Sequence, residues 1–179
     1  MGTKGKRSPV ATVHLRKAFG ADHPSVMAAA MHHGAVLHVR GSHSQAAAKL
    51  RSAHEAQVAA HGRSDHPDVL ETAWRLGCVL AVSGTAASDA PEASTILRSV
   101  AEHQSAQLGD AHPRTLRTRV SLGEAVLAMG GEEHAAEAAR LFGECEVAQR
   151  AVLEPSHPDL LKCQQLALEL ASRSSLSLT

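Results

Sequence analysis

The sequence predicts an all-α solenoid: tandem helix-turn-helix units stacked side by side, about eight helices in total. Three observations carry that prediction. His-Pro recurs at His23-Pro24, His66-Pro67, His112-Pro113 and His157-Pro158, with spacings of 43, 46 and 45 residues. A fixed period of that length marks one supersecondary unit per repeat. Glycine follows the same period, at Gly34, Gly77 and Gly123, and again at Gly41, Gly84 and Gly130. Composition agrees: Ala and Leu dominate the apolar residues, and aromatic content is 2%, with no Tyr. Those are helix-forming residues, whereas a β-sandwich or barrel draws on β-branched and aromatic side chains.

Each repeat opens on a helix beginning at its Pro, where the missing N–H would be unpaired anyway. Asp22, Asp65, Asp110 or Ser156 lies just ahead and suits the positive helix end. Val26-Met27, Val69-Leu70, Thr115-Leu116 and Leu160-Leu161 come next. With Val36-Leu37, Val79-Leu80 and Ala125-Val126 they trace one stripe of a 3.6-residue helix. The mid-helix glycines cost about 1 kcal/mol each against Ala, which points to close approach by a neighbouring helix. The later glycines suit a left-handed C-cap.

Second helices are expected over 44–61, 90–108 and 133–153. In the last, Ala138, Leu141, Phe142, Cys145, Ala148 and Val152 share one face. Pro91 and Gly130-Gly131 read as turns between the two helices of a repeat, and Thr85–Ala90 as a turn carrying inserted residues. The expected organisation is a disordered basic tail at 1–8 and an array over 9–173. The array comprises a half repeat at 9–20, repeats at 21–62, 63–108 and 109–154, and a capping helix at 155–173. A frayed tail covers 174–179. The cap has Leu168 and Ser175 where the repeats have their two glycines.

Lys plus Arg and Asp plus Glu number 18 each, so neither nucleic acid nor an acidic membrane is an expected partner. Three widely spaced cysteines, Cys78, Cys145 and Cys163, read as free thiols rather than a disulfide framework or zinc site. No apolar run reaches the roughly 20 residues of a membrane span. A cytoplasmic location is expected. The N-terminus also has a transit-peptide look, being basic with no acidic residue before Asp22. No G-x-S-x-G, phosphate-binding Gly loop or H-E-x-x-H is present, so no catalytic residues, metal or cofactor are expected.

Gly20-Ala-Asp-His-Pro24, Gly109-Asp-Ala-His-Pro113 and the Glu137–Leu153 helix, with its Glu-Ala-Ala-Arg-Leu-Phe, are similar to the 42-residue tetratricopeptide repeat of kinesin light chains and nephrocystin-like proteins. The resemblance covers about residues 9–173. It implies a right-handed superhelix whose first helices line a concave groove that holds a peptide or partner helix. By position, that groove would present Met31, His32 and His38, then Glu71, Trp74, Arg75 and Cys78. Arg117, Val120, Ser121 and Glu124 would follow, with Lys162 and Gln165 closing it. Family members often carry paired Asn here; this chain has Met31-His32, Trp74-Arg75 and Val120-Ser121 instead.

The expected function is a non-catalytic protein-interaction scaffold. Met31, Trp74 and Val120 would supply apolar anchoring, and Arg75, Arg117, Arg119 and Lys162 a positive stripe for an acidic ligand. The bland counterpart is that Trp74 packs between helices of its own repeat. The alternative role is a structural, self-associating spacer from a longer multidomain protein, with homo-oligomers as its signature.

Overall fold

The computed structural model describes residues 23–83 and 89–176. Seven helices follow one another: α1 (Pro24–Val39), α2 (His43–His61), α3 (Pro67–Ser83), α4 (Asp89–Leu108), α5 (Pro113–Ala128), α6 (Glu132–Val152) and α7 (Pro158–Leu176). No strand occurs among the described residues. The expected half-repeat helix over 9–20, the basic tail and the turn around Thr85 fall outside them, as do residues 177–179. Each helix packs on the next in sequence, and the first helices also touch one repeat on, α1 with α3 and α3 with α5. That pattern of nearest-neighbour contacts is a solenoid.

The first helices start where the His-Pro pairs stand, but the capping group differs from expectation. The imidazole Nδ1 of His23, His66, His112 and His157 accepts the backbone N–H two residues on, at 3.2, 3.2, 3.1 and 3.2 Å. The His side chain therefore does the work expected of the preceding acid. The aspartates are engaged elsewhere: Asp65 with Arg63 at 2.5 Å, and Asp110 with Ser105 and Arg119. Arg63 holds the Asp65 carboxyl down at about 2. His112→Ala is therefore expected to cost about 1 kcal/mol, the usual value of a lost N-cap. Asp110→Ala should cost clearly less, since exposed pairs contribute little. Urea titrations of both variants check the ranking.

Gly41 and Gly130 leave their helices at φ 76° and 75°, the left-handed conformation that a C-terminal Gly supplies. The mid-helix glycines make room for side chains rather than for backbone. A Cβ on Gly34 would lie 2.7 Å from Leu50, on Gly77 2.6 Å from Leu97, and on Gly123 2.5 Å from Phe142. The first helix of each full repeat thus carries a hole, and the second helix of the same repeat fills it with one large knob. Leu50, Leu97 and Phe142 are accordingly fully buried. The core runs unbroken from Ala46 in α2 to Leu170 in α7.

Several expected details shift. Pro91 sits in the first turn of α4, which opens two residues earlier at Asp89, because that position needs no N–H partner. Val152 is exposed, and Gln149 takes the buried position on that face of α6. Val36 and Leu161 also lie exposed, while Leu160 alone of its pair is buried. The last helix continues past 173 to Leu176.

Two repeating polar features tie the units together. Gln57, Gln104 and Gln149 are buried seven residues after each knob, and Gln104 Oε1 accepts from Thr118 Oγ1 at 2.7 Å. On the second helices, Arg51 pairs with Glu92 at 2.7 Å and Arg98 with Glu137 at 2.8 Å, bridging successive repeats at equivalent positions.

Candidate peptide-binding cleft

The first helices of the repeats line a cleft of about 330 Å³. It gathers His38 from α1, Trp74 and Cys78 from α3, Arg117 and Glu124 from α5, and Lys162 from α7. Of the residues expected to line a groove, His38, Trp74, Arg117, Val120, Ser121, Glu124 and Lys162 meet here. Met31 and Glu71 line a neighbouring cleft of about 330 Å³ between α1, α2 and α3. His32 and Gln165 are exposed and line neither cleft, and Gln165 donates to Glu169 at 2.9 Å.

Trp74 settles into the junction between repeats, not simply within its own. Its indole N–H donates to Ser121 Oγ on α5 at 3.2 Å, and the half-buried ring packs against the cores on both sides. The Arg117 guanidinium stacks over the ring at 4.0 Å, and that of Arg75 lies 5.7 Å from its centre. Both distances fall within cation–π range. Glu71, one turn before Arg75, meets Arg75 at 2.8 Å and Arg117 at 3.5 Å. Two cations therefore share one carboxylate, and the Nε atoms of both are buried with no hydrogen-bond partner among the described residues.

Lys162 pairs with Glu124 at 2.8 Å across α5 and α7. Arg119 leaves the expected positive stripe altogether, because it turns toward Asp110 and Ser105. Side chains three and four apart share a helix face, whereas two apart do not, so Arg117 and Arg119 diverge. Val120 is 5% and Ser121 6% exposed, so both form the floor rather than projecting into the space.

Sequence reading missed Gln149 and Asp159 as cleft residues. Gln149 is 1% exposed and its Oε1 has no partner among the described residues. The signal was present in the matching positions of Gln57, Gln104 and Gln149. Where Thr118 serves Gln104, the next repeat has Cys163, whose thiol turns to the Phe142 carbonyl at 3.2 Å.

Burial, with His43 beside it, pushes the His38 imidazole below its ordinary value; the two Nδ1 atoms lie 3.3 Å apart. Burial pushes the Cys78 thiol up to about 11, Cys145 up to about 12 and Cys163 up to about 11. All three thiols are free and protonated near neutral pH.

Paired helices in nearest-neighbour succession, a Gly-and-knob joint in each full repeat and a cleft lined mainly by first helices define a tetratricopeptide-like helical solenoid. Solved structures agree. The crystal structure of nearly identical TPR-like repeats of kinesin-light-chain type from Podosopora anserina superposes with a TM-score of 0.74 at 22% identity, covering 94% of this chain and 76% of that one. A point variant of that protein superposes with a TM-score of 0.76, at the same identity and coverage. No family model and no curated protein sequence matches the chain. No helix among the described residues is long and apolar enough to cross a membrane.

Proposed function

We propose that this chain is a non-catalytic interaction module that binds an extended peptide or a helix of a partner protein in the cleft between α3, α5 and α7. The observation that carries this reading is the arrangement around Trp74: two guanidiniums, one shared carboxylate and a large aromatic face at the rim. A carboxylate on the ligand would meet the cleft-lining Arg117 guanidinium, whose charge and that of Arg75 behind it are offset by the single Glu71, and an apolar neighbour would lie along Trp74, Ala81 and Val82. The three thiols, pushed well above neutral by burial, favour a non-catalytic role over a nucleophilic one.

Fluorescence anisotropy with labelled peptides alternating Leu and Glu tests this, with Leu-Lys peptides as the charge-reversed comparison. Wild type is expected to prefer the acidic series, and the Arg75→Glu, Arg117→Glu double variant to lose at least about tenfold in affinity, in line with a charge-assisted contact. Equal affinity in wild type and variant would remove the mechanism. A second reading, self-association, rests on Leu161 and Leu168, which α7 presents 50% and 71% exposed. Light scattering coupled to size exclusion separates it from a monomeric binder.

A further inference from the structure

The junction between α2 and α3 gathers metal-ligating chemistry that the groove reading does not use. His61 closes α2, Gly62 turns the chain at φ 65°, and His66 caps α3 with Asp68 in its first turn. The turn brings the His61 and His66 rings into a stack, 3.7 Å between centroids and 10° between planes. One ligand atom from each of His61, His66 and Asp68 lies within 4.8 Å of the other two. His66 Nδ1 and the Asp68 carboxylate are 3.9 Å apart.

We propose that His61, His66 and Asp68 form a site for a divalent transition metal of the zinc class. Two imidazoles and a carboxylate are a ligand set that zinc accepts, with bonds of about 2.0–2.2 Å. Tetrahedral ligand atoms then stand about 3.4 Å apart and each imidazole lone pair lies in its ring plane, so the set assembles by closure of roughly 1 Å together with rotation of one ring out of the stack. The movement falls to His61, whose ring sits at a helix end and has no hydrogen bond among the described residues. His66 would bind through Nδ1, the atom beside Asp68. It exchanges one exposed 3.2 Å cap contact for the metal and keeps its proton on Nε2.

An unsatisfied polar group adjoins the same place. Gln57, one turn before His61, lines the α1–α2–α3 cleft together with His61 and Asp68. It is 4% exposed, and its Oε1 has no hydrogen-bond partner among the described residues. That unsatisfied acceptor lies one turn before His61 on the same helix, enclosed beneath the cleft. The equivalent Gln104 has no such vacancy, since Thr118 occupies it.

The chain supplies its own controls. Each of the other three His-Pro caps lacks part of the set. Ala18, Gln107 and Val152 stand five residues before them, and the position after Pro is Ser25, Arg114 or Asp159. The site is independent of the peptide-binding reading. Isothermal titration of the untagged full chain with zinc chloride, in chelator-free buffer, tests it. One zinc per chain is expected at micromolar concentrations. His61→Ala and Asp68→Asn should each weaken uptake at least tenfold while circular dichroism stays that of wild type. His43→Ala, which alters the other close His pair, should leave it unchanged. The proposal is overturned by absence of saturable uptake in wild type, by wild-type affinity in His61→Ala, or by equal loss in His43→Ala.

Discussion

Phe142→Ala is expected to destabilise the fold by about 3–5 kcal/mol, the usual range for emptying a buried aromatic site. Phe142 is fully buried and fills the hole that Gly123 leaves in α5. Gly123→Ala should also destabilise, by about 1–3 kcal/mol, because its new Cβ would stand 2.5 Å from the ring of Phe142. The ring is a rigid neighbour held by the surrounding core and cannot step aside. In the Phe142→Ala background the sign reverses. The Cβ then enters vacated space, and Ala gains up to about 1 kcal/mol of helix propensity over Gly. A double-mutant cycle by urea denaturation reads this directly. Additive costs would mean that the glycine serves some purpose other than receiving the knob.

Trp74→Ala is expected to cost about 3 kcal/mol, the lower end for Trp because the ring is only half-buried. It joins repeats through its packing, its bond to Ser121 at 3.2 Å and the Arg117 guanidinium on its face. Trp74→Phe retains a face for Arg117 and loses the N–H, so about 1 kcal/mol should go with the hydrogen bond. The two variants therefore separate packing from polar anchoring. A loss below 0.5 kcal/mol in both, on the scale of an ordinary surface substitution, would show that Trp74 contributes no inter-repeat stability.

Much of the fold was legible because repetition averages out local ambiguity. Four His-Pro pairs at near-even spacing located every first helix, and the three glycines after them marked the interior face. Second-helix limits agreed within a residue, with α2, α4 and α6 opening at His43, Asp89 and Glu132. What each mark does was less legible. An aspartate before a helix is a common cap, yet here the imidazole accepts the N–H and Asp65 and Asp110 turn to arginines. A helix-interior glycine announces a close approach without saying whether backbone or a Leu or Phe side chain arrives.

The candidate cleft was legible by position and not by charge. Arg75, Arg117, Arg119 and Lys162 read as a cationic stripe. Folding gives Glu71 to Arg75 and Arg117, Glu124 to Lys162 and Asp110 to Arg119. Those partners lie on the same helix, on a neighbouring helix or in a preceding loop, and no sequence spacing announces most of them. The same holds for His61 and His66, which are five residues apart but stacked only because Gly62 turns the chain.

The sequence by itself determined a solenoid of paired helices, where the first helices start and most of the residues that face inward. These follow from local capping, helical period and the repeat. Only the tertiary structure decided which knob fills which glycine, that Trp74 spans two repeats, and which buried amides lack a partner. Those facts depend on side chains from different helices meeting at distances of a few ångströms. Helical periodicity sets the direction in which a side chain leaves its helix, and packing sets what it meets there.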